Sequence, residues 1–323
     1  MNIEIRPFQM EYYGTLIDMA MENYNLEKMQ NKELRETIER SYFNKKLHDL
    51  FANGVGNIAL ENNEIIGYLY FTHKSGNKEA VSPLYGYGVR HIKRGEIISK
   101  LFQATAAELC ENFASDLQVN VYAHDSDVLW TYIMSAFAMD VTDVVRNTLT
   151  PIDSKNVNYT FNEISKADLL SYRSDVIEMY RNLINHLRVS PVFYHCKYFM
   201  PIEDKFMDFI SDNIRVFAVF NDGKLIGMVI SEPPDKGFAI EDSDAMSLSD
   251  LFVKSDYRRQ NIGAALLAFA NDELRKSGIK RIFVTHGTIN TTARGFWDRY
   301  FTNYSFTMIR QIDPNMLGII QPI

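Results

Sequence analysis

The sequence has no uncharged apolar run long enough to cross a membrane, and its first residues lack the apolar core of a secretion signal. It has only two cysteines, Cys110 and Cys196, which give neither a disulfide framework nor the spacing of a zinc site. The net charge of −7 disfavours nucleic acid as the main partner, because binding to phosphates needs a basic face. We therefore expect a cytoplasmic protein with no metal site that binds neither membranes nor nucleic acid.

Apolar residues, in contrast, are plentiful. They make up 46% of the chain, which includes 21 Phe and 18 Tyr, so large hydrophobic cores can form and disorder is not expected. The length of 323 residues corresponds to about two domains of typical size.

Two segments predict β-hairpins, and they are similar to each other. Residues 57–70 and residues 215–230 each join two β-rich runs through a turn of Asn, Asp or Gly, and each has an Ile-Gly pair just after the turn. Farther along the chain, residues 92–102 align without a gap with residues 257–267. An internal repeat of about 160 residues explains both correspondences.

Turn-forming residues between Pro151 and Asn156 interrupt this pattern, so we place the boundary between the two halves there. The predicted domains are residues 1–150 and residues 158–323. Each half has the pattern of two helices, an antiparallel hairpin, a third strand, a long helix, a strand, a helix and a last strand. This order predicts an α+β fold in which a central, mostly antiparallel sheet is sandwiched between helices.

The segment Tyr257–Leu267 carries the strongest functional signal. It follows a strand-like run and opens a predicted helix. A basic loop at this place brings backbone N–H groups, the positive end of the helix, Arg258 and Arg259 around one point, which suits a diphosphate. The small residues Gly263–Ala265 allow the diphosphate to approach the backbone closely. The alternative is an ordinary surface helix whose first turn carries two solvated arginines.

The order of elements and this loop resemble the GNAT superfamily of N-acetyltransferases. The family's loop motif, Arg/Gln-x-x-Gly-x-Gly/Ala, begins at Arg258 and ends at Gly263, with Asn261 where the first glycine is usual. Asparagine tolerates left-handed backbone better than most residues, so we expect the loop to form. A second family pattern, Asn-x-x-Ala followed by an aromatic helix, begins at Asn290 and extends to Trp297.

The resemblance implies two GNAT-like α/β/α domains in tandem and an acetyl-CoA-dependent transfer of an acetyl group to a primary amine of a small molecule or peptide. It places the chemistry in the C-terminal domain. It also implies that main-chain groups of the strand before the loop hold the pantetheine arm and polarise the thioester carbonyl. The implied acetyl-CoA contacts are Leu251, Phe252, Val253, Arg258, Arg259, Gln260, Asn261, Ile262, Gly263, Ala264, Ala265, Asn290 and Trp297.

The resemblance does not decide which residues act as the general acid and the general base. Relatives often have, at the position of Trp297, a tyrosine that protonates the departing thiolate, and tryptophan has no acidic proton for this role. Tyr300 and Tyr304 are the candidate substitutes. An amine acceptor must also lose a proton before it attacks, and Asp250 and Glu232 are the candidate bases. Weaker candidates for the base are Glu241 and His286.

A cysteine nucleophile is not expected. His195 and Cys196 are adjacent in sequence, so their side chains diverge on any regular element, and no third group that could orient them is evident.

The N-terminal copy departs from the family motif where the diphosphate would bind. Ile98 aligns with Gly263, and its β-branched side chain blocks a close approach, while Glu96 aligns with Asn261 and puts a negative charge at an anion site. We therefore expect a degenerate N-terminal copy, with a second acetyl-CoA site as the alternative. This degeneracy and Trp297 also motivate a second functional hypothesis, a non-catalytic acyl-CoA-binding or regulatory protein.

Overall fold

The computed structural model divides into two compact units, one comprising Met1–Asp143 and the chain from Asn303 onward, the other Val144–Thr302. The predicted domain boundaries rest on the internal repeat and stay a prediction. Three residues considered above, His195, Cys196 and Glu241, lie outside the described residues. The structure describes residues 3–74, 77–155, 157–189, 191–194, 201, 204, 206–207, 211, 213–235, 242–313 and 315.

The described α-helices of the first unit all lie in the segment before Asp143, and its second segment adds a strand to the sheet. Its elements are β1 (Ile3–Pro7), α1 (Tyr13–Gln30), α2 (Arg40–Asn53), β2 (Gly54–Glu61), β3 (Glu64–His73), β4 (Glu79–Ser82), β5 (Tyr87–Val89), α3 (Arg94–Glu111), β6 (Asp116–Tyr122) and α4 (Ser126–Met134). The next strand, β7 (Ala138–Asn147), begins in this unit and ends in the second.

The second unit repeats this order of elements. It contains β8 (Thr160–Ile164), α5 (Lys166–Ser171), α6 (Arg173–Leu187), β9 (Arg215–Asn221), β10 (Lys224–Glu232), β11 (Ala245–Val253), α7 (Ile262–Lys276), β12 (Arg281–Gly287) and α8 (Thr291–Trp297). The last strand of the chain, β13 (Thr302–Gln311), belongs to the first unit apart from its first residue.

Both sheets are mostly antiparallel. In the first unit the strand order is β1-β2-β3-β4-β6-β13, with β5 paired to β3, and β4 runs parallel to β6. In the second unit the order is β8-β9-β10-β11-β12, and β11 runs parallel to β12. The α+β architecture predicted from the sequence is confirmed.

The two predicted hairpins are formed by the same turn chemistry. Asn62 and Asn63 join β2 to β3 with φ of 53° and 66°, and Asp222 and Gly223 join β9 to β10 with φ of 48° and 77°. Positive φ at both central residues is the backbone of a type I′ turn, which matches the twist of hairpin strands. Asn, Asp and Gly adopt this conformation at little cost, so the sequence signal and the structure agree.

The sheet of the second unit has a hydrophobic core on each face. On one face, Phe217, Val229 and Leu248 pack with Leu266 of α7 and Trp297 of α8. On the other face, residues of β9, β10 and β11 pack with α5 and α6, and this core includes Val176, Tyr180, Met228, Ile230 and Phe252. The second unit is therefore a helix–sheet–helix sandwich. In the described part of the chain, no helix combines the length and apolarity needed to span a membrane.

Candidate functional site

The sheet of the second unit opens between its two parallel strands. β11 and β12 are paired only from Ala245–Ser247 to Arg281–Phe283, and the remainder of each strand has no partner in the other. On its other side, β11 has a bulge, because Asp250 and Leu251 together lie opposite Val229 of β10. A bulge bends its strand and strengthens the local twist. The bulge therefore lies where β11 leaves β12, and a split opens towards the carboxyl ends of the two strands.

The loop that follows β11 has the left-handed backbone expected of it. Asn261, the residue before α7, has φ of 66° and ψ of 8°, and Arg259 has φ of 63°. The prediction that asparagine can take the place of the usual glycine is thus confirmed. Side chains brace the loop: Asn261 Nδ2 donates to the carbonyl of Lys155 at 3.3 Å, and Arg258 Nε donates to the carbonyl of Val253 at 2.9 Å.

The loop presents a row of free backbone donors. Among the described residues, the backbone N–H groups from Arg259 to Ala264 have no hydrogen-bond acceptor, and the first helical bond is from Ala265 to the carbonyl of Asn261, at 3.1 Å. Successive N–H groups around left-handed residues form a concave anion site, and the helix dipole adds positive potential. The exposed side chains of Arg258 and Arg259 supply formal charge. The loop therefore suits a diphosphate.

A narrow slot leads away from this loop. A Cβ atom added to Gly263 would lie 3.4 Å from Cε2 of Phe296 and 3.9 Å from Cδ2 of Leu251. Because glycine has no side chain, space remains between β11 on one side and α8 on the other. Phe296 was not among the residues predicted for the site, although it lies in the aromatic motif next to Trp297. A side chain larger than alanine at position 263 would fill the slot.

Two residues expected to contact the ligand have structural roles. Trp297 is 7% exposed and packs in the core, with its ring centroid 5.0 Å from that of Phe296 and 5.4 Å from that of Phe301. Asn290 caps α8, since its Oδ1 accepts a hydrogen bond from the backbone N–H of Ala293 at 3.2 Å. The side chain of Phe252 packs against Tyr180 on the opposite face of the sheet, so only its main chain is left for a ligand.

The candidate bases differ in their surroundings. Glu232 is the last residue of β10 and lies opposite Ser247, and its carboxylate makes no hydrogen bond or ion pair with any described residue. Asp250 occupies the bulge, with φ of 35°. His286 is buried on β12, and its Nε2 lies 3.5 Å from Oδ1 of Asp298. His286 thus has an acidic neighbour, while the carboxylate of Glu232 has no partner among the described residues.

The two tyrosines proposed as the general acid lie in different units. Tyr300 follows α8 in the second unit, and its ring centroid is 5.4 Å from that of Phe296, which lines the slot. Tyr304 lies in β13 of the first unit, is 5% exposed, and its carbonyl accepts a hydrogen bond from the N–H of Ala123 at 3.0 Å.

A third tyrosine lies at the split. The hydroxyl of Tyr194 is 3.4 Å from the position that a Cβ of Gly287 would take, at the carboxyl end of β12. In the sequence, the only sign of such a role is the high density of aromatic residues around Tyr194, which favours a pocket wall or a core.

In the first unit, side chains of the same unit occupy the position that corresponds to the loop before α7. Arg94, which aligns with Arg259, forms a two-pronged ion pair with Asp125 and also donates to Oδ1 of Asn23 at 3.0 Å. The Asp125 side chain is 1% exposed. Ile98 is fully buried. The guanidinium group that could bind an anion is thus held by a carboxylate of the same unit.

Comparison with known proteins agrees with this geometry. Residues 180–301 match the model of the acetyltransferase (GNAT) family. The fold is similar to that of a GCN5-related N-acetyltransferase from Sphaerobacter thermophilus, with a TM-score of 0.56 and 10% identity over 96% of this chain and 95% of that one. No curated protein sequence matches the chain significantly.

A second solved structure with a similar fold is a tandem GNAT protein from the clavulanic acid biosynthesis pathway. Its TM-score is 0.45 and its identity 13%, over 96% of this chain and 98% of that one. In the described part of the chain, no group of His, Cys, Asp and Glu residues is arranged to hold a metal ion.

Proposed function

Since residues 180–301 form a GNAT acetyltransferase domain, we propose that this protein is an acetyl-CoA-dependent N-acetyltransferase. The chemistry takes place in the second unit, and the acceptor is a primary amine of a small molecule or peptide. The observation that carries the proposal is the row of free N–H groups from Arg259 to Ala264, because such a row at a helix start, beside two arginines, is an anion site.

The residues present fit acetyl-CoA. The loop N–H groups and the side chains of Arg258 and Arg259 would bind the pyrophosphate, and the pantetheine arm would pass Gly263, whose missing side chain leaves space between Leu251 and Phe296. When bound, acetyl-CoA supplies the acetyl thioester that the amine attacks. The split between β11 and β12 gives the amine access from the other face of the sheet.

The main chain at the bulge is the group suited to stabilise charge on the thioester oxygen. The bulge leaves a residue of β11 outside the regular hydrogen bonding with β10. Backbone N–H groups aimed at a developing oxyanion in a site that excludes water stabilise the transition state strongly. We assign this role to the backbone from Leu251 to Val253.

Proton transfer is assigned to side chains near the split. Glu232 is the preferred base, because its carboxylate has no ion-pair partner in the described chain, and Asp250 is the second choice. Tyr300 and Tyr304 are the candidates for the acid that protonates the departing thiolate. Tyr300 lies beside Phe296 of the slot, while Tyr304 belongs to the other unit.

A second function, non-catalytic acyl-CoA binding, is favoured by one observation. Trp297 stands where relatives often have the acidic tyrosine, and its side chain is buried in the core rather than facing the slot. A protein that retained the loop but had lost the acid would bind the ligand without turning it over.

Two measurements on the full chain separate these functions. Isothermal titration with acetyl-CoA and with coenzyme A measures binding, and release of free thiol over a panel of amines measures turnover. An acetyltransferase shows saturable binding and amine-dependent thiol release. Binding without release on any amine supports the second function, and absence of binding in the folded protein contradicts both.

A further inference from the structure

The chemistry of the amine can be inferred from the sheet face around the split. Ser247 is paired both with Glu232 of β10 and with Phe283 of β12, so the three side chains lie on one face. Because side chains alternate along a strand, Ser249 and Thr285 lie on the same face, two residues farther along β11 and β12. Diagonal neighbours of this kind are about 7–8 Å apart. A carboxylate and three hydroxyls therefore surround the place where the strands part.

This face is the one that does not carry the anion loop. Leu248, which alternates with these serines, packs in the core with α7 and α8. Ile230, the partner of Ser249, packs in the opposite core with α5 and α6. A ligand bound by the loop at the start of α7 therefore reaches the split from one side, and an acceptor meets it from the side of Glu232 and Ser249.

Two of these groups have no partner among the described residues. The carboxylate of Glu232, a partly buried residue, makes no ion pair there. The Oγ atom of Ser249 is buried and has no hydrogen-bond partner in the same part of the chain. A buried hydroxyl without a partner destabilises the protein, and a partly desolvated carboxylate favours a nearby cation. Both costs disappear when a ligand brings an ammonium group and a hydroxyl.

The basic residue that the structure describes beside this face, Arg281, has its own acidic partner. Arg281 lies on the same side of β12 as Phe283, but its guanidinium group is held in a two-pronged ion pair by Asp242, whose side chain is 4% exposed. Tyr194 adds a further hydroxyl at Gly287, the end of β12. The face thus combines negative charge with several hydroxyl groups.

We propose that the acceptor is a small hydroxylated amine, an amino alcohol or amino sugar, that binds as its ammonium form. The ammonium group lies towards Glu232, and the hydroxyl groups of the acceptor bind Ser249, Thr285 and Tyr194. This inference rests on the proposed acetyltransferase function and specifies its substrate class.

Kinetics with matched amines test the inference. Glucosamine is compared with cyclohexylamine, and ethanolamine with propylamine, because each pair differs mainly in hydroxyl groups. We expect kcat/KM to be at least tenfold higher for the hydroxylated member, since a site built to bind a hydroxyl discriminates against the analogue without it. A peptide with a free N-terminal amine should be a poorer acceptor than glucosamine.

Substitutions test whether the preference for hydroxylated amines comes from the sheet face that carries Ser249 and Thr285. Ser249→Ala and Thr285→Val should each raise KM for the hydroxylated amines about fivefold and leave KM for the hydrocarbon amines unchanged, because a neutral hydrogen bond is worth about 1 kcal/mol. Thr160→Val, on strand β8 at the far edge of the same sheet, is the matched control. Circular dichroism confirms that each variant is folded, and the two substitutions test the face independently.

The outcomes separate this inference from the function on which it rests. Turnover in which cyclohexylamine or the peptide equals glucosamine overturns the inference and leaves the acetyltransferase intact. A preference that survives both Ser249→Ala and Thr285→Val also overturns it. Acetyl-CoA binding without turnover of any amine overturns the acetyltransferase function and the inference together.

Discussion

The starts of α7 and α3 occupy the same position in the two halves of the sequence, yet they are chemically opposite. At α7, Arg259 is exposed and makes no hydrogen bond or ion pair with a described residue, and the N–H groups that follow it are free. At α3, the aligned Arg94 is tied to Asp125 and to Asn23. The same side chain is therefore available to a ligand in one unit and structural in the other.

The difference between Arg94 and Arg259 follows from the residue that precedes the last helix of each unit. Asp125 precedes α4, as Asn290 precedes α8. Asn290 is neutral and caps its helix, whereas Asp125 is a buried carboxylate that needs a cation. In the first unit, the acidic residue at this position thus makes Arg94 half of an internal ion pair.

The largest expected effect distinguishes the tyrosines of the two units. A general acid contributes about 10²–10⁴ in rate, so the Tyr→Phe change at the acting residue should lower kcat by that factor while acetyl-CoA affinity stays the same. Because Tyr300 lies beside the slot, we expect Tyr300→Phe to show this loss and Tyr304→Phe to have little effect on kcat. Steady-state kinetics on a working amine measures it. Full activity of both variants would show that solvent delivers the proton.

The next effect compares the two arginines by stability. Arg94→Met should lower the free energy of unfolding by roughly 3–5 kcal/mol, because it leaves the Asp125 carboxylate buried without its partner. Arg259→Met, the matched change on the exposed loop, should alter it by less than about 0.5 kcal/mol. Urea denaturation followed by circular dichroism measures both. Equal effects of the two substitutions would contradict the contrast between the helix starts.

A smaller effect tests the slot. Gly263→Ile copies the residue of the N-terminal unit and should weaken acetyl-CoA binding at least tenfold, about 1.4 kcal/mol, because the side chain fills the space between Leu251 and Phe296. The control is Gly295→Ile on α8, where an added Cβ would meet no atom within 4 Å. Titration calorimetry gives both affinities. Unchanged affinity of a folded Gly263→Ile protein would remove the loop from the site.

The last prediction concerns the number of acetyl-CoA sites per chain, which we expect to stay at one. Titration with acetyl-CoA should give one site per chain, and Ile98→Gly should leave that number unchanged, since Arg94 remains bound to Asp125. A stoichiometry of two in the unmodified protein, reduced to one by a substitution at Arg94, would instead show a working site in the first unit.

Much of the candidate site could be predicted because its signals are local. The left-handed backbone at Asn261 follows from turn chemistry, and the two hairpins follow from pairs of Asn, Asp and Gly between β-rich runs. The small residue at Gly263 and the free N–H groups of a helix start depend only on neighbours in sequence. The α+β order of elements likewise followed from the hairpin signals and the internal repeat.

The residues that the sequence did not identify take their roles from distant contacts. Phe296 lines the slot because α8 packs near Gly263, and the Tyr194 hydroxyl reaches the end of β12 from a segment well before it in the chain. Trp297 matched a ligand-binding position in the family pattern, yet its side chain fills the core. Spacing along the chain carries no information about such contacts, since they depend on how elements pack.

The sequence by itself predicted the order of elements, the fold class and the left-handed loop before α7, each of which follows from the conformational preferences of a few consecutive residues. The tertiary structure alone decided which arginine is free and which is paired, because Arg94 and Asp125 meet only when α3 packs beside the start of α4. It also decided that β13, the last strand of the chain, pairs with β6 of the first unit. The partner of an antiparallel strand depends on main-chain hydrogen bonds and on buried side chains across the sheet. The sequence of β13 alone therefore does not specify which strand will lie beside it.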